Sequence, residues 1–460
     1  MEERQDNKMG IMPVNKLLLG MALPMMASMM VQALYNVVDS IFVARITDAA
    51  GSGSAGTDAL VAVGMAFPVQ TLMIAFSTGM GVGMNALLSR SLGEKDYATV
   101  NKAAMNGLFL ALCNFILFFC IGAFLSRTII ASQGGEGRVL EYGRAYLGIV
   151  CMGSIGSCMQ ITAERLLQST GRSGLSMATQ MTGAVINIVL DPILIFGYFG
   201  LPAMGVAGAA YATIAGQLVG ACMGLILNIK YNKDIEFKIR GFKPDLGIIG
   251  KIYSVGLPTI VMQSIGSVMT YFMNRILAGL DAGAVAVFTL YFKLQSFFFM
   301  PIFGLNNGMI PIVAFNYGAH KRKRMVSTIK LSMVYAFILL FLGFLAFEII
   351  PDKLLLLFDT KDDSLIRIGV PALRIIAVHY LAAWFCIIAG SVFQALGNGI
   401  YSLIVSVARQ LVVLLPAAVI LAKIGGLPLI WWCFPVAEVM SLAISALLLR
   451  RINREIISKV

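Results

Sequence analysis

Long apolar runs alternating with short polar stretches dominate this chain. Runs able to cross a bilayer, which takes about 20 residues, fall near 17–44, 60–88, 103–126, 140–163, 176–198, 206–228, 251–279, 284–315, 327–350, 366–392, 400–422 and 429–449. The pattern predicts an all-α polytopic membrane protein with twelve transmembrane helices. It divides the chain into an N-terminal segment (1–16), a first six-helix lobe (17–228), an inter-lobe linker (229–250), a second six-helix lobe (251–449) and a tail (450–460).

The two halves repeat one another at a spacing of 224 to 234 residues. "LGMALPMM" (19–26) answers "YSVGLPTI" (253–260), which aligns Pro24 with Pro258. Gly79, Gly83, Met84 and Gly93 align with Gly304, Gly308, Met309 and Gly318. "LLQSTG" (166–171) answers "VFQALG" (392–397), and Pro192 answers Pro416. Six spans per half is an even number, so the repeats are parallel and related by an axis along the membrane normal. Alternating access around a central cavity suits that architecture.

Composition agrees. The 460 residues are 58% apolar and 13% charged, against about 45–50% and ~25% in soluble domains, so lipid must be the main solvent. The net charge of +12 is an orientation signal. Loops on the side of the termini hold 23 of the 35 Lys and Arg, dense examples being "KYNKDIEFKIRGFK" (230–243) and "HKRKR" (320–324), and the opposite loops hold 8. This bias places both termini in the cytoplasm and removes the reason to invoke nucleic acid. No A-x-A-like cleavage site marks a removable signal peptide. Seven cysteines without a C-x-x-C pair and only two histidines leave no basis for a histidine-built metal site. The cysteines read as small buried hydrophobes.

Candidate chemistry begins in "NIVLDPILIFG" (187–197). The apolar neighbours of Asp191 supply about −4 kcal/mol of insertion energy at roughly −0.5 each, which just offsets an acid costing about 3 kcal/mol. The segment can insert, provided Asp191 avoids lipid. Asn187 precedes Asp191 by four residues and shares its helical face. Pro192 has no N–H for the Ile188 carbonyl. Carboxylate, amide oxygen and loose carbonyl form an all-oxygen set suited to a hard cation; a proton can use the same carboxylate. In span 1, Gln32, Tyr35, Asn36 and Asp39 form a polar stripe at i, i+3, i+4 and i+7. Spans 1 and 5 run the same way and carry Asp39 and Asp191 at similar depth in the outer half of the membrane. Two carboxylates close together in low dielectric cannot both stay charged and should titrate as one unit, with H⁺ or Na⁺ as the neutralising ion. Gln180 and Gln217 join the candidates from helical facing alone.

The order and spacing of several segments resemble the multidrug and toxic compound extrusion (MATE) family across nearly the whole chain. They include the "LP" of spans 1 and 7, "SRSLGEKD" (89–96), "LQSTGRS" (167–173), "NIVLDPILIFG", "GLPAMGVAGAAYAT" (200–213) and "MPIFGLNNGMIPIVAFNYGA" (300–319). The resemblance implies two six-helix bundles around a V-shaped cleft. It also implies an antiporter that expels amphipathic, often cationic compounds against inward Na⁺ or H⁺, in the plasma membrane of a bacterial or archaeal type of cell. Asp39, Asp191 and Asn187 match its amino-terminal-half cation site, and Thr213 of "GAAYAT" matches a further site position. No cofactor beyond the coupling ion and no enzymatic activity is implied, and no nucleotide loop is found. A monomer is expected. Some relatives place further acids in spans 7 and 10; here neither span contains Asp or Glu, so coupling is expected to rest on the first half.

Several other residues carry weaker expectations. Lys293, well inside span 8, is a candidate cleft residue, and "QSFFFMPIF" (295–303), with Phe298 and Met300, is a candidate cavity lining. Glu164 is expected as an interfacial partner of Arg165 or Arg172, and His379 as a helix-contact residue. Gly79, Gly81 and Gly83 suit close approach or bending, and Pro24, Pro68, Pro258, Pro301 and Pro311 suit kinks. The competing reading is a flippase for lipid-linked oligosaccharides, which needs a basic cavity; its candidates are Lys293, Arg275, Arg374 and Arg409. An intramembrane aspartyl protease using Asp39 and Asp191 gives no reason for the two-half repeat. A major-facilitator transporter would carry G-x-x-x-D-R-x-G-R-R where this chain has "SRSLGEKDYATVNK".

Overall fold

A computed structural model describes residues 7–46, 54–238, 240–356 and 363–460; the side chain of Asn36 lies outside the described set. The described chain is helical. A short α1 (Lys8–Ile11) leads into α2 (Val14–Ala44), α3 (Ser54–Gly93), α4 (Tyr97–Cys120) and α5 (Ser126–Ser132). Then come α6 (Gly137–Met152), α7 (Ile155–Ser169), α8 (Ser173–Phe196) and α9 (Val206–Tyr231). The second half comprises α10 (Leu246–Ala278), α11 (Ala282–Gly318), α12 (Arg322–Ile349), α13 (Pro351–Leu356), α14 (Asp363–Ala377), α15 (Tyr380–Ala395), α16 (Gly399–Val407), α17 (Leu415–Ile430) and α18 (Cys433–Glu455). Among the described residues, 10 helices are long and apolar enough to cross a membrane, or 12 when the bent pairs α6–α7 and α14–α15 each count as one span. Twelve matches the number of apolar runs. Large apolar side chains such as Phe67, Ile226, Val439 and Leu447 are exposed on helix faces, as a lipid-facing surface requires.

The breaks do not fall at the prolines. Helices continue through Pro24, Pro68, Pro258, Pro301 and Pro311. The fourth span instead bends by 45° between Met152 and Ile155. There a Cβ on Gly153 would collide with Ile214 of α9, and one on Gly156 would sit 3.0 Å from the Leu218 nitrogen. The tenth span bends by 51° at Val378–His379, where the Ile376 carbonyl accepts from the His379 amide at 3.1 Å and His379 Nδ1 meets the same oxygen at 2.5 Å. π-helical turns at Ile121–Leu125 and Ala408–Leu414 join α4 to α5 and α16 to α17.

The chain forms two compact units, 27–260 and 1–26 with 261–460. These do not follow chain order: the first part of α2 groups with the second half, and the first part of α10 with the first half. The changeovers lie within three residues of the aligned prolines Pro24 and Pro258. Aligned glycines seat the transferred segments. In the first unit a Cβ on Gly83 would collide with the Ile252 carbonyl, and one on Gly79 would lie 2.8 Å from the Gly256 oxygen. In the second, a Cβ on Gly304 would lie 2.5 Å from the Met26 backbone and one on Gly308 2.8 Å from that of Ala22. The residues before α2 are fastened to the same unit: Arg324 donates to the Met9 and Met12 carbonyls, and Lys321 to Gly10. The linker after α9 is tied to the first unit by Arg172–Asp234 at 2.5 Å and Lys102–Asp245 at 3.2 Å.

Candidate functional site

Four helices of the 27–260 unit aim polar side chains at one another. On α2, Gln32, Tyr35 and Asp39 share a face. On α8, Gln180, Asn187 and Asp191 fall on one stripe, and α9 adds Thr213 and Gln217. The close approach of α8 and α9 depends on a glycine pair: a Cβ on Gly216 would lie 2.5 Å from the Gly183 carbonyl oxygen. That proximity lets Asn187 Nδ2 donate to Thr213 Oγ1 at 3.3 Å, while Thr213 donates to the Ala209 carbonyl at 3.0 Å. Gln180 donates to Gln32 Oε1 at 2.9 Å and accepts from the Ser28 hydroxyl.

Gln32, Tyr35, Gln180, Asn187, Thr213 and Gln217 line one cavity of about 90 Å³. Helical facing marks five of the six in the sequence, and the family resemblance marks Thr213. The same cavity includes Gln160 and Glu164 of α7, which sequence reasoning missed as site neighbours. Glu164 is buried and accepts from Gln160 at 3.0 Å and from Thr179 at 3.5 Å. Arg172, one of its two expected partners, pairs with Asp234 instead. A clue was available in the sequence: Gln160 and Glu164 are four residues apart and so share a helical face.

Asp39 and Asp191 bring their carboxyl groups within hydrogen-bonding reach of one another. Asp191 is fully buried. Among the described residues no donor reaches either oxygen of Asp191, Oδ1 of Asp39, Oδ1 of Asn187 or Oε1 of Gln217. Two ionised carboxylates offer each other acceptors only, and an unsatisfied buried charge is costly. This donor set therefore fits a proton shared between the acids or a small hard cation among their oxygens. No group of three or more His, Cys, Asp or Glu that could hold a metal occurs among the described residues.

The remaining candidates are dispersed. Lys293 is exposed on α11. Met300 lines a separate cavity in the 261–460 part of the chain together with Phe299 and Phe303. Phe298 turns the other way, its ring 5.7 Å from that of Phe347. The four basic residues suggested by the flippase reading do not gather: Arg275 and Arg374 are also exposed, while Arg409 pairs with Glu438 at 3.5 Å. Glu438, in α18, is the one buried acid of the second half among the described residues. Spans 7 and 10 lack acids; the second half carries Glu438 in its last span and Glu348 near the end of α12.

The comparisons with known proteins follow the same lines. The MatE profile matches residues 24–193 and 258–420. The multidrug export protein MepA of Staphylococcus haemolyticus (strain JCSC1435) is 24% identical over 423 residues, covering 92% of this chain and 90% of that protein. MepA of Staphylococcus aureus (strain MRSA252) is 24% identical over 443 residues, covering 96% and 95%. A solved outward-facing structure of a multidrug resistance MATE family transporter of the MOP superfamily superposes with a TM-score of 0.89 at 25% identity, covering 100% of both chains. With a matching profile over most of its length, the chain belongs to the MatE family, the multidrug and toxic compound extrusion transporters.

Proposed function

We propose that this transporter expels amphipathic, often cationic compounds across the plasma membrane by exchange for inward H⁺ or Na⁺, with Asp39 and Asp191 as the coupling site. The observation that carries this reading is the pair of facing carboxyls whose buried oxygens receive no donor. Such a pair is stable when a proton or Na⁺ neutralises it and unstable when both acids are bare. Binding and release of the ion therefore bias any two arrangements of the surrounding helices that solvate the acids differently. Asn187 and Thr213 orient each other beside the pair, and the Asn187 carbonyl oxygen, which receives no donor, is available to the ion. The multidrug export activity printed for the MepA relatives supports the substrate class. The Lys/Arg bias supports cytoplasmic termini, so that α2 and α8 present the acids in the outer half of the membrane.

The test is ethidium efflux from cells producing wild type, Asp39→Asn or Asp191→Asn at matched membrane levels. Efflux about tenfold or more below wild type is expected in both variants. Wild-type efflux in either would remove the assignment.

A further inference from the structure

The 261–460 part of the chain contains a cavity of about 380 Å³, within the ~300–1,000 Å³ range of small-molecule sites. Arg409, Gln410, Glu438 and His379 contribute to its polar lining, and its rings come from Phe299 and Phe434 among others. Arg409 and Gln410 are delivered by the π-helical turn Ala408–Leu414; such turns, rare elsewhere, recur at functional sites. The ion pair is incomplete. Arg409 Nη1 reaches Glu438 Oε2 at only 3.5 Å, and Glu438 Oε1 receives no donor among the described residues. A purely structural buried pair must satisfy its remaining lone pairs to offset desolvation, and this one leaves one open beside a cavity. His379 commits Nδ1 to the Ile376 carbonyl, and its ring lies 6.1 Å from Phe434 and 6.3 Å from Phe299. A cation and an anion 3.5 Å apart, each with unused bonding capacity, thus line one aromatic pocket.

We propose that this cavity is a second ligand site that takes a small aromatic zwitterion: its carboxylate on the Arg409 guanidinium, its ammonium on Glu438, its ring against Phe299 and Phe434. A lone cation would meet the repulsion of Arg409, and a lone anion that of Glu438; a ligand carrying both charges completes each half of the pair. The proposal deepens the transport reading and rests on it for why such a ligand enters the membrane.

Three probes isolate the charges. Nε-dansyl-lysine is the zwitterion, dansylcadaverine lacks its carboxylate, and dansyl-6-aminohexanoate lacks its ammonium. Purified full-length protein in lipid nanodiscs is titrated with each, reading energy transfer to the dansyl group from Trp384, Trp431 and Trp432, the chain's three tryptophans, with empty nanodiscs as background. Dansyl-lysine is expected to bind about tenfold more tightly than either partial probe, as charge-assisted bonds allow, and Arg409→Gln is expected to erase that preference. If Arg409→Gln leaves Glu438 too exposed energetically to fold, the double variant Arg409→Gln/Glu438→Gln leaves no unpaired charge and reads the same loss. Equal wild-type binding of the three probes, or a preference that survives in the double variant, overturns the proposal. Binding is read without an ion gradient, so loss of coupling in Asp191→Asn and loss of preference in Arg409→Gln fail separately.

Discussion

Asp39 of α2 and Asp191 of α8 face one another inside the 27–260 unit, each within hydrogen-bonding reach of the other and neither Asp191 oxygen reached by a donor among the described residues. Groups that act as one unit are not additive. Asp39→Asn and Asp191→Asn should each lower ion-coupled efflux by about tenfold or more, and the double variant should be no worse than either single one. Initial efflux rates of the three variants check this; a double variant that loses the product of the two single effects would mean independent roles.

Asn187 and Thr213 should tune ion affinity more than transport capacity. Thr213→Val removes the hydroxyl that accepts from Asn187 at nearly constant volume. The half-saturating concentration of the coupling ion should rise by about three- to tenfold, the worth of one neutral hydrogen bond, with the maximal rate largely kept. Rates measured across a Na⁺ series and a pH series separate the two parameters.

The glycines that seat α10 and α2 should tolerate no side chain. Gly83→Val places atoms into the Ile252 carbonyl, and Gly308→Val into the Ala22 backbone. Overpacking of this kind costs about 1–3 kcal/mol or more, so both variants should melt earlier in detergent. Gly20→Ala is the control: nothing lies within 4 Å of the added Cβ, and the variant should be neutral or slightly stabilised by helix propensity.

At the start of α4, outside the spans, Asp96 accepts from the Thr99 amide at 3.1 Å. Hydrogen bonds from the Thr99 side chain and backbone hold its carboxyl below the usual carboxylate range. A group depressed in the folded state stabilises fully above its unfolded value and loses that contribution as pH falls through the folded one. Asp96→Ala should therefore cost about 0.5–1 kcal/mol at neutral pH, with the gap to wild type closing only in strong acid. Thermal melts of both proteins at several pH values follow the difference.

Much of this was legible in the sequence because membrane helices declare themselves by length. The twelve runs and the aligned Pro24/Pro258 and Gly83/Gly308 needed only hydrophobicity and spacing. The stripe of Gln32, Tyr35 and Asp39 needed only the helical period. Facing, however, is relative: periodicity puts Phe298 and Phe299 about 100° apart without saying which looks into a cavity, and in the fold Phe299 does while Phe298 packs on Phe347. The partner helix is also silent in one-dimensional pattern, so Glu164 read as an interfacial acid and Glu438 was passed over. The bends at Gly153 and Val378 escaped notice because prolines draw attention that glycine contacts and a histidine side chain deserve equally. The crossing of α2 and α10 between units depends on long-range packing that no local window contains.

The most direct measurement uses purified protein in proteoliposomes with separately imposed Na⁺ and pH gradients, following uptake of a fluorescent cationic probe by wild type and Asp191→Asn. If the facing acids are the coupling site, at least one gradient drives uptake by wild type and neither drives it in Asp191→Asn. Gradient-driven uptake that persists undiminished in Asp191→Asn would contradict it.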